Sequence, residues 1–211
     1  MYRFPILFLI ISACTALLFT SCAVQTVKGY DAVPTAIQQY HATYFSDPET
    51  DYVYKAHISV YGKDFGGIFI VKKINDTTHR IAFTTEFGNK LFDFEITDDS
   101  FKVNFILEEF DRKIVVNTLK KDFMLLLKMN HEVMAQYENS KTTVYKSKDE
   151  KRYNYLFTDK ATGSLKKLVN ATKSKEKTVI TYTPESEKLA DSIIIDHKNI
   201  KLRIALEYIN N

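Results

Sequence analysis

The chain has 211 residues, 29 of them basic and 26 acidic, for a net charge of +3. Charges of both signs are spread along it, which excludes the strongly basic face of a nucleic-acid binder, and no polyanion partner is implied. Four Pro and six Gly leave little room for disordered tracts, while 13 Tyr and 15 Phe against no Trp suit a sheet-rich domain.

The first element is a leader. Arg3 gives a positive start, Phe4 to Phe19 is apolar apart from Ser12 and Thr15, and the stretch ends on the small residues Thr20 and Ser21 before Cys22. Leu18, Phe19, Thr20, Ser21 and Cys22 together resemble the lipobox of bacterial lipoproteins, with Phe19 where Leu is usual. The resemblance implies removal of residues 1–21 as a signal peptide, a diacylglyceryl group on the Cys22 thiol and an acyl chain such as palmitate on its new amino group. Anchoring is favoured over spanning, because crossing needs about twenty apolar residues and this run barely reaches that, with no stop-transfer charges behind it. Several acyl chains, at about 0.8 kcal/mol per buried methylene, hold a protein firmly on a membrane. Cys14 leaves with the signal and Cys22 carries lipid, so the mature domain keeps no thiol for a disulfide, a metal or nucleophilic catalysis. Ala23 and Val24 lack the Asp that marks inner-membrane retention in some bacteria. The lipoprotein resemblance therefore implies a bacterial cell-envelope protein, lipid-anchored to the outer membrane and facing the periplasm.

Residues 22–34 read as the lipidated N-terminus and a short tether, and residues 35–211 as a single domain. Ile37, Tyr40, Tyr44 and Phe45 have the spacing of a short helix between Pro34 and Phe45. Strand alternation follows in Ala56, Ile58 and Val60, in Phe92, Phe94 and Ile96, and in Phe101, Val103, Phe105 and Leu107. Between them Gly67 to Ile74 and His79 to Thr85 read as strands joined at Asn75-Asp76, and Gly88-Asn89 marks the next turn. Connections this short demand an antiparallel meander. The period then changes. Val115, Leu119, Phe123, Leu126 and Leu127 recur every three or four residues between Asp111 and Met129, predicting one helix or two short ones with Asp111 available as N-cap. Strand grammar resumes in 142–146, 153–158, 165–170 and 178–183, and ends in a hairpin turning at 196–199. The expectation is a mainly β domain, a twisted antiparallel sheet of about eleven strands whose concave face the helical insertion covers.

This pattern, with the lipoprotein leader, resembles the LolA and LolB lipoprotein-localisation factors, whose fold is an open half-barrel with helices over an apolar cavity. The local likeness is greatest at residues 81–96, similar to the LolB segment in which a strand runs into a Pro-Leu-Gly turn and out through alternating Leu and Glu. There the Leu before Gly sits on a protruding loop that helps deliver cargo into the membrane, so Phe87, before Gly88, takes that place, with Glu86 where Pro is expected. The resemblance implies binding of acyl chains or lipidated protein termini, lipoprotein insertion at the outer membrane, and a periplasmic carrier protein as partner. A monomer is expected.

The residues allow plainer readings beside these. Phe87 is either an exposed membrane-probing tip or the last inward residue of its strand. Phe83, Phe92, Phe94, Phe101 and Phe105, read as inward-facing, either line a lipid cavity or fill it, and the helix face carrying Leu119 and Phe123 is core, a mobile lid, or both. A packed, ligand-free fold would suit a structural or interaction lipoprotein of an envelope assembly. No enzyme is expected. The five histidines are scattered, with no His-Glu-x-x-His pair, no nucleophile elbow and no phosphate loop, and neither a metal nor a cofactor is implied. Glu108, Glu109 and Asp111 beside Arg112 and Lys113 read as a capped, solvated junction.

Overall fold

The computed structural model describes residues 25–210. Fourteen strands form one open antiparallel sheet. They are β1 (Asp31–Val33), β2 (Gln39–His41), β3 (Asp51–Val60), β4 (Lys63–Lys73), β5 (Thr78–Thr84), β6 (Lys90–Thr97) and β7 (Phe101–Ile106). After helix α1 (Lys113–Leu127) come β8 (Asn130–Glu138), β9 (Thr142–Asp149), β10 (Arg152–Asp159), β11 (Leu165–Ala171), β12 (Glu176–Pro184), β13 (Ala190–His197) and β14 (Leu202–Tyr208). The spatial order is β1-β8-β9-β10-β11-β12-β13-β14-β3-β4-β5-β6-β7, with β2 also on β8. Two meanders are thus joined by β14 on β3. The sheet does not close, and α1 covers its concave face, making an open half-barrel.

Cross-strand rows show why these residues make this wall. Tyr208, Tyr54, Phe69, Phe83, Phe92 and Ile106 are successive register partners from β14 to β7. Tyr52, Val71, Ile81, Phe94 and Val103 form the next row. On the other arm Tyr145, Leu156, Leu168, Ile180, Ile195 and Ile204 run from β9 to β14 and continue into Ile58 of β3. Because side chains alternate, each row lies on one face. Gly67 of β4 is required by a close approach, since a Cβ there would lie 1.9 Å from the Thr84 carbonyl oxygen.

Three strands escape the sequence pattern. β1 and β2 are too short to show a period. In β8 the buried positions include the polar His131 and Gln136, and a bulge between Val133 and Ala135 breaks the alternation. The helix expected between Pro34 and Phe45 is instead β2 with a turn. Gln39, Tyr40 and His41 pair with Glu132, His131 and Asn130, and Ala42 donates to the Met129 carbonyl at 2.7 Å, so long-range pairing overrides weak local spacing. Asp111 is not the N-cap of α1. That position is Arg112, while the Asp111 N–H closes the preceding turn on Leu107 and Glu108.

Residues 25–33, within the segment read as a tether, are built into the domain. A 3₁₀ turn at Gln25–Val27 leads to β1, Tyr30 packs edge-on against Phe157 at 5.7 Å, and the Thr26 hydroxyl donates to Glu176 Oε1 at 2.8 Å. Val27 and Tyr30 cover a second, smaller apolar cluster of Val144, Tyr155, Phe157, Val169 and Ala171. Cys22 lies outside the described residues.

Candidate functional site: a cleft at the end of the helix

Of the residues read as cavity candidates, Phe83, Phe92, Phe94, Leu119 and Phe123 are fully buried. The Phe123 ring of α1 lies 5.5 Å from Phe69, 5.8 Å from Phe92 and 6.2 Å from Phe94, and Phe92 stacks on Phe94 at 4.6 Å. Phe110, just before α1, inserts against Phe65, Phe83 and Phe92. These rings fill one another's space. Burial of each side chain stabilises the fold by about 2–3 kcal/mol, and none of them lines the cleft at the end of the helix. Phe101 is half-buried, with the Lys120 ammonium 6.0 Å from its ring centre. Phe105 does not face inward. The register shifts between Asp93 and Phe94, so that Phe105 pairs with Asp93 on the outer face, 40% exposed, with Lys90 over its ring. One extra residue in a bulge reverses the side that the following residues face.

Phe87 is 93% exposed at the tip of the β5–β6 hairpin. Gly88 (φ +83°) makes the turn, in which Gly88 N–H donates to Thr85 and Thr85 N–H to Asn89. Below the tip, Asp93 is buried and receives Arg80 Nε at 3.0 Å and Nη2 at 2.7 Å, Lys90 Nζ at 2.8 Å and Asn104 Nδ2 at 3.4 Å. The Arg80 hydrogen bonds, with those of Lys90 and Asn104, hold its carboxyl well below the usual range despite burial. One carboxylate therefore ties β5, β6 and β7 together beneath the exposed ring.

The open space lies elsewhere. A cleft of about 830 Å³ sits at the C-terminal end of α1, between the β4–β5 and β6–β7 turns and the β9–β10 turn. Ile96, Met124, Leu125, Leu127 and Met129 give it an apolar side. Its rim carries Lys120, Lys121, Lys128, Lys151 and Arg152 against Asp76, Asp98, Asp99, Asp149 and Glu150, so the charges balance. Lys128 and Asp149 pair at 2.8 Å.

The third side of the cleft is polar. Asn170 and Thr178 line it, and they belong to a row that sequence reasoning missed. Ser147, Asn154, Asn170, Thr178 and His197 are successive register partners across β9 to β13. Each is in phase with an apolar inward neighbour two residues away, from Tyr145 to Ile195, and that phase was the available signal. Asn170 donates to Asn154 at 2.7 Å and accepts from Arg152 at 2.8 Å. At the end of the row His197 meets Asp122 of α1, Nε2 to Oδ1 at 2.9 Å, with both side chains buried, and its Nδ1–H donates to the Leu202 carbonyl at 2.9 Å. Burial raises the Asp122 pKa against the pull of His197, whereas for His197 burial lowers the pKa but the hydrogen bond and charge of Asp122 raise it overall. Both imidazole nitrogens are engaged, so this pair is a clamp between helix and sheet and offers no free base.

Two further histidines are buried. His79 lines the cleft and donates to the Phe45 carbonyl at 3.0 Å, with its pKa lowered by burial. His131 bonds the Lys128 carbonyl at 3.1 Å, and burial pulls its pKa down to about 4. Among the described residues no group of three His, Cys, Asp or Glu is placed to hold a metal ion, and no helix is long and apolar enough to cross a membrane.

A LolA superfamily protein from Nitrosomonas europaea superposes on this chain with a TM-score of 0.52 at 10% identity, over 80% of this chain and 88% of that one. The fold is LolA-like. A putative outer membrane lipoprotein-sorting protein domain from Vibrio parahaemolyticus gives 0.45 at 8% identity over 76% and 83%. A DUF1329 family protein from Desulfovibrio piger gives 0.43 at 9% over 78% and 86%. No family model matches the sequence, and no curated protein does. In this LolA-like sheet the helix and aromatic arm are packed together, and the space opens at the helix end.

Proposed function

We propose that the chain is an envelope lipoprotein, held through Cys22 on the periplasmic face of the outer membrane, whose LolA-like half-barrel takes up acyl chains or the lipidated termini of other proteins. The observation that carries this reading is the cleft of about 830 Å³ at the end of the helix, a volume within the range of about 300–1,000 Å³ used for small ligands. The chain of the ligand lies against Ile96, Met124, Leu125, Leu127 and Met129 rather than among the phenylalanines. Transfer is by burial and release, with no bond made or broken. Phe87, exposed on its braced hairpin, enters the bilayer interface; it stands at the far end of β5 and β6 from the cleft, so it docks the protein while the cleft holds cargo handed over by a periplasmic carrier.

The filled aromatic arm favours a second reading, a structural lipoprotein of an envelope assembly. Mature chain carrying Cys22→Ser, which leaves every described residue intact, separates the two. Native mass spectrometry after purification from cells is expected to show a lipid-sized adduct that a fluorescent fatty acid displaces. A clean protein mass with no fatty-acid binding overturns the carrier reading. Recovery of a stable crosslinked protein partner from the native envelope would then establish the structural one.

A further inference from the structure

Resting on the reading of an anchored lipoprotein, we propose that the turns at one end of the sheet form a basic face that lies on anionic phospholipid head groups and sets how the domain sits on its membrane. The charges of the chain are nearly balanced in number but not in space. The β11–β12, β13–β14 and β3–β4 turns are neighbours at that end: Thr178 of β12 is the register partner of His197 of β13, and Leu202 of β14 that of Val60 of β3. The Lys198 N–H donates to the Lys177 carbonyl at 2.9 Å and the Tyr61 N–H to the Lys201 carbonyl at 2.9 Å, so the three turns make one surface. Lys63, Lys173, Lys175, Lys198 and Lys201 stand exposed on it.

These cations have no internal counter-charge. Among the described residues none of the five has a carboxylate within ion-pair distance. The acids beside them are engaged elsewhere: Glu176 accepts from the Thr26 hydroxyl at 2.8 Å, Asp64 from the Ser59 hydroxyl, and Asp196 from Arg203 at 2.6 Å. At the opposite end the turns 98–100 and 185–189 carry Asp98, Asp99, Glu185 and Glu187, and Lys160 and Lys188 are paired with Glu138 and Asp47. Gathering unpaired like charges on adjacent turns costs self-repulsion, which an anionic surface offsets.

Two further observations select a bilayer. Tyr61 is 45% exposed at the tip of the β3–β4 turn with φ +48°, a conformation that Asn or Gly takes more readily, and an exposed Tyr among lysines suits the head-group region. The second is the anchor. Thr26, held on Glu176 at the start of β12, follows Cys22 by four residues, which reach at most about 14 Å, so lipid on Cys22 brings the bilayer to this end. Lys151 and Arg152, from the neighbouring β9–β10 turn, line the cleft, and the contact therefore holds that wall of the cleft toward the lipid.

The test is flotation of mature Cys22→Ser protein with vesicles of phosphatidylcholine alone or with about 30% phosphatidylglycerol. Each lysine near an anionic surface strengthens binding about fivefold, so the anionic vesicles are expected to be preferred at least about a hundredfold, and less as salt rises. Changing Lys173, Lys175, Lys198 and Lys201 together to Gln is expected to abolish the preference while the melting temperature stays level, since all four side chains are exposed. The same change at Lys141, Lys160, Lys166 and Lys188 removes as much charge from the other end and is expected to leave binding within about threefold. Equal losses in the two variants would make the effect one of net charge and overturn the face. Equal binding of the unaltered lysines to both vesicles would overturn it too, and leave them for an acidic protein partner. If mass spectrometry of the N-terminal peptide of the full chain shows Cys22 free of lipid, the anchored reading fails on its own, while a retained anionic preference still supports the face.

Discussion

The two arms of the half-barrel face inward with opposite chemistry. From β14 to β6 one inner row is wholly aromatic, Tyr208, Tyr54, Phe69, Phe83 and Phe92, and it interlocks with Phe110 and Phe123. From β9 to β13 one aliphatic row is followed by a polar one. The aromatic arm is where apolar ligand binding is expected from composition, yet it is the solid half. Side chains that suit an apolar ligand also suit one another, and a core packs to crystal-like density whenever it can. Space survives where the facing groups cannot pack away their hydrogen-bonding needs. In this molecule Asn170 and Thr178 of the polar row stand at the cleft and the aromatic row marks the foundation.

The sharpest way to break that contrast is to cut into the foundation. Phe92→Ala should cost about 3–5 kcal/mol, because the ring contacts Phe69, Phe83, Phe94, Phe110 and Phe123. Chemical denaturation measures it, and a loss below about 1 kcal/mol would mean that this arm is loosely packed. On the polar arm Asn154→Leu should cost less, about 1–3 kcal/mol, because it leaves the buried Asn170 Nδ2 without the acceptor it meets at 2.7 Å.

Acid probes the cleft side next. His131 has its pKa pulled from 6.5 to about 4 by burial, so between those values the unfolded chain takes up a proton that the folded chain refuses. Stability is therefore full above pH 6.5 and falls as the pH drops toward 4, by about 3 kcal/mol from this group. His79, also lowered by burial, acts in the same direction. His197 is raised, so its contribution is present below pH 6.5 and lost as the pH rises through its folded value. Melting temperatures from pH 7 to 4 should show the decline, and His131→Gln should flatten it. An unchanged slope in that variant would locate the acid sensitivity elsewhere.

The smallest effect on stability belongs to the tip. Phe87→Glu should leave the unfolding free energy within about 0.5 kcal/mol, since the ring is 93% exposed. Binding of the chain to vesicles, by flotation, should fall several-fold. Full vesicle binding in that variant would remove Phe87 from membrane contact.

Much of the fold was legible. Alternation in Phe92, Phe94 and Ile96, the turns at Asn75-Asp76 and Gly88-Asn89, and the three-to-four spacing of Val115 to Leu127 all correspond to observed elements. Those signals are local. β8 was hidden because its inward positions include His131 and Gln136, and Phe105 was placed on the wrong face because a bulge leaves no mark in an alternating string. The polar row was hidden differently. Ser147, Asn154, Asn170, Thr178 and His197 look like ordinary polar residues near strand ends, and they become one feature only when five strands are laid in register.

The sequence by itself determined a mainly β architecture interrupted by one helix, because periodicity and short connections are properties of neighbouring residues. It also determined which side chains could supply a core. Tertiary structure decided that the aromatic residues would be consumed in packing, that residues 25–33 would be bound to the sheet, and that the open space would lie beside Asn170 and Thr178. The reason is register. Which residues meet across a sheet is set by pairings between distant strands, and the pairing of β14 with β3 joins two halves of the wall that the chain writes more than a hundred residues apart.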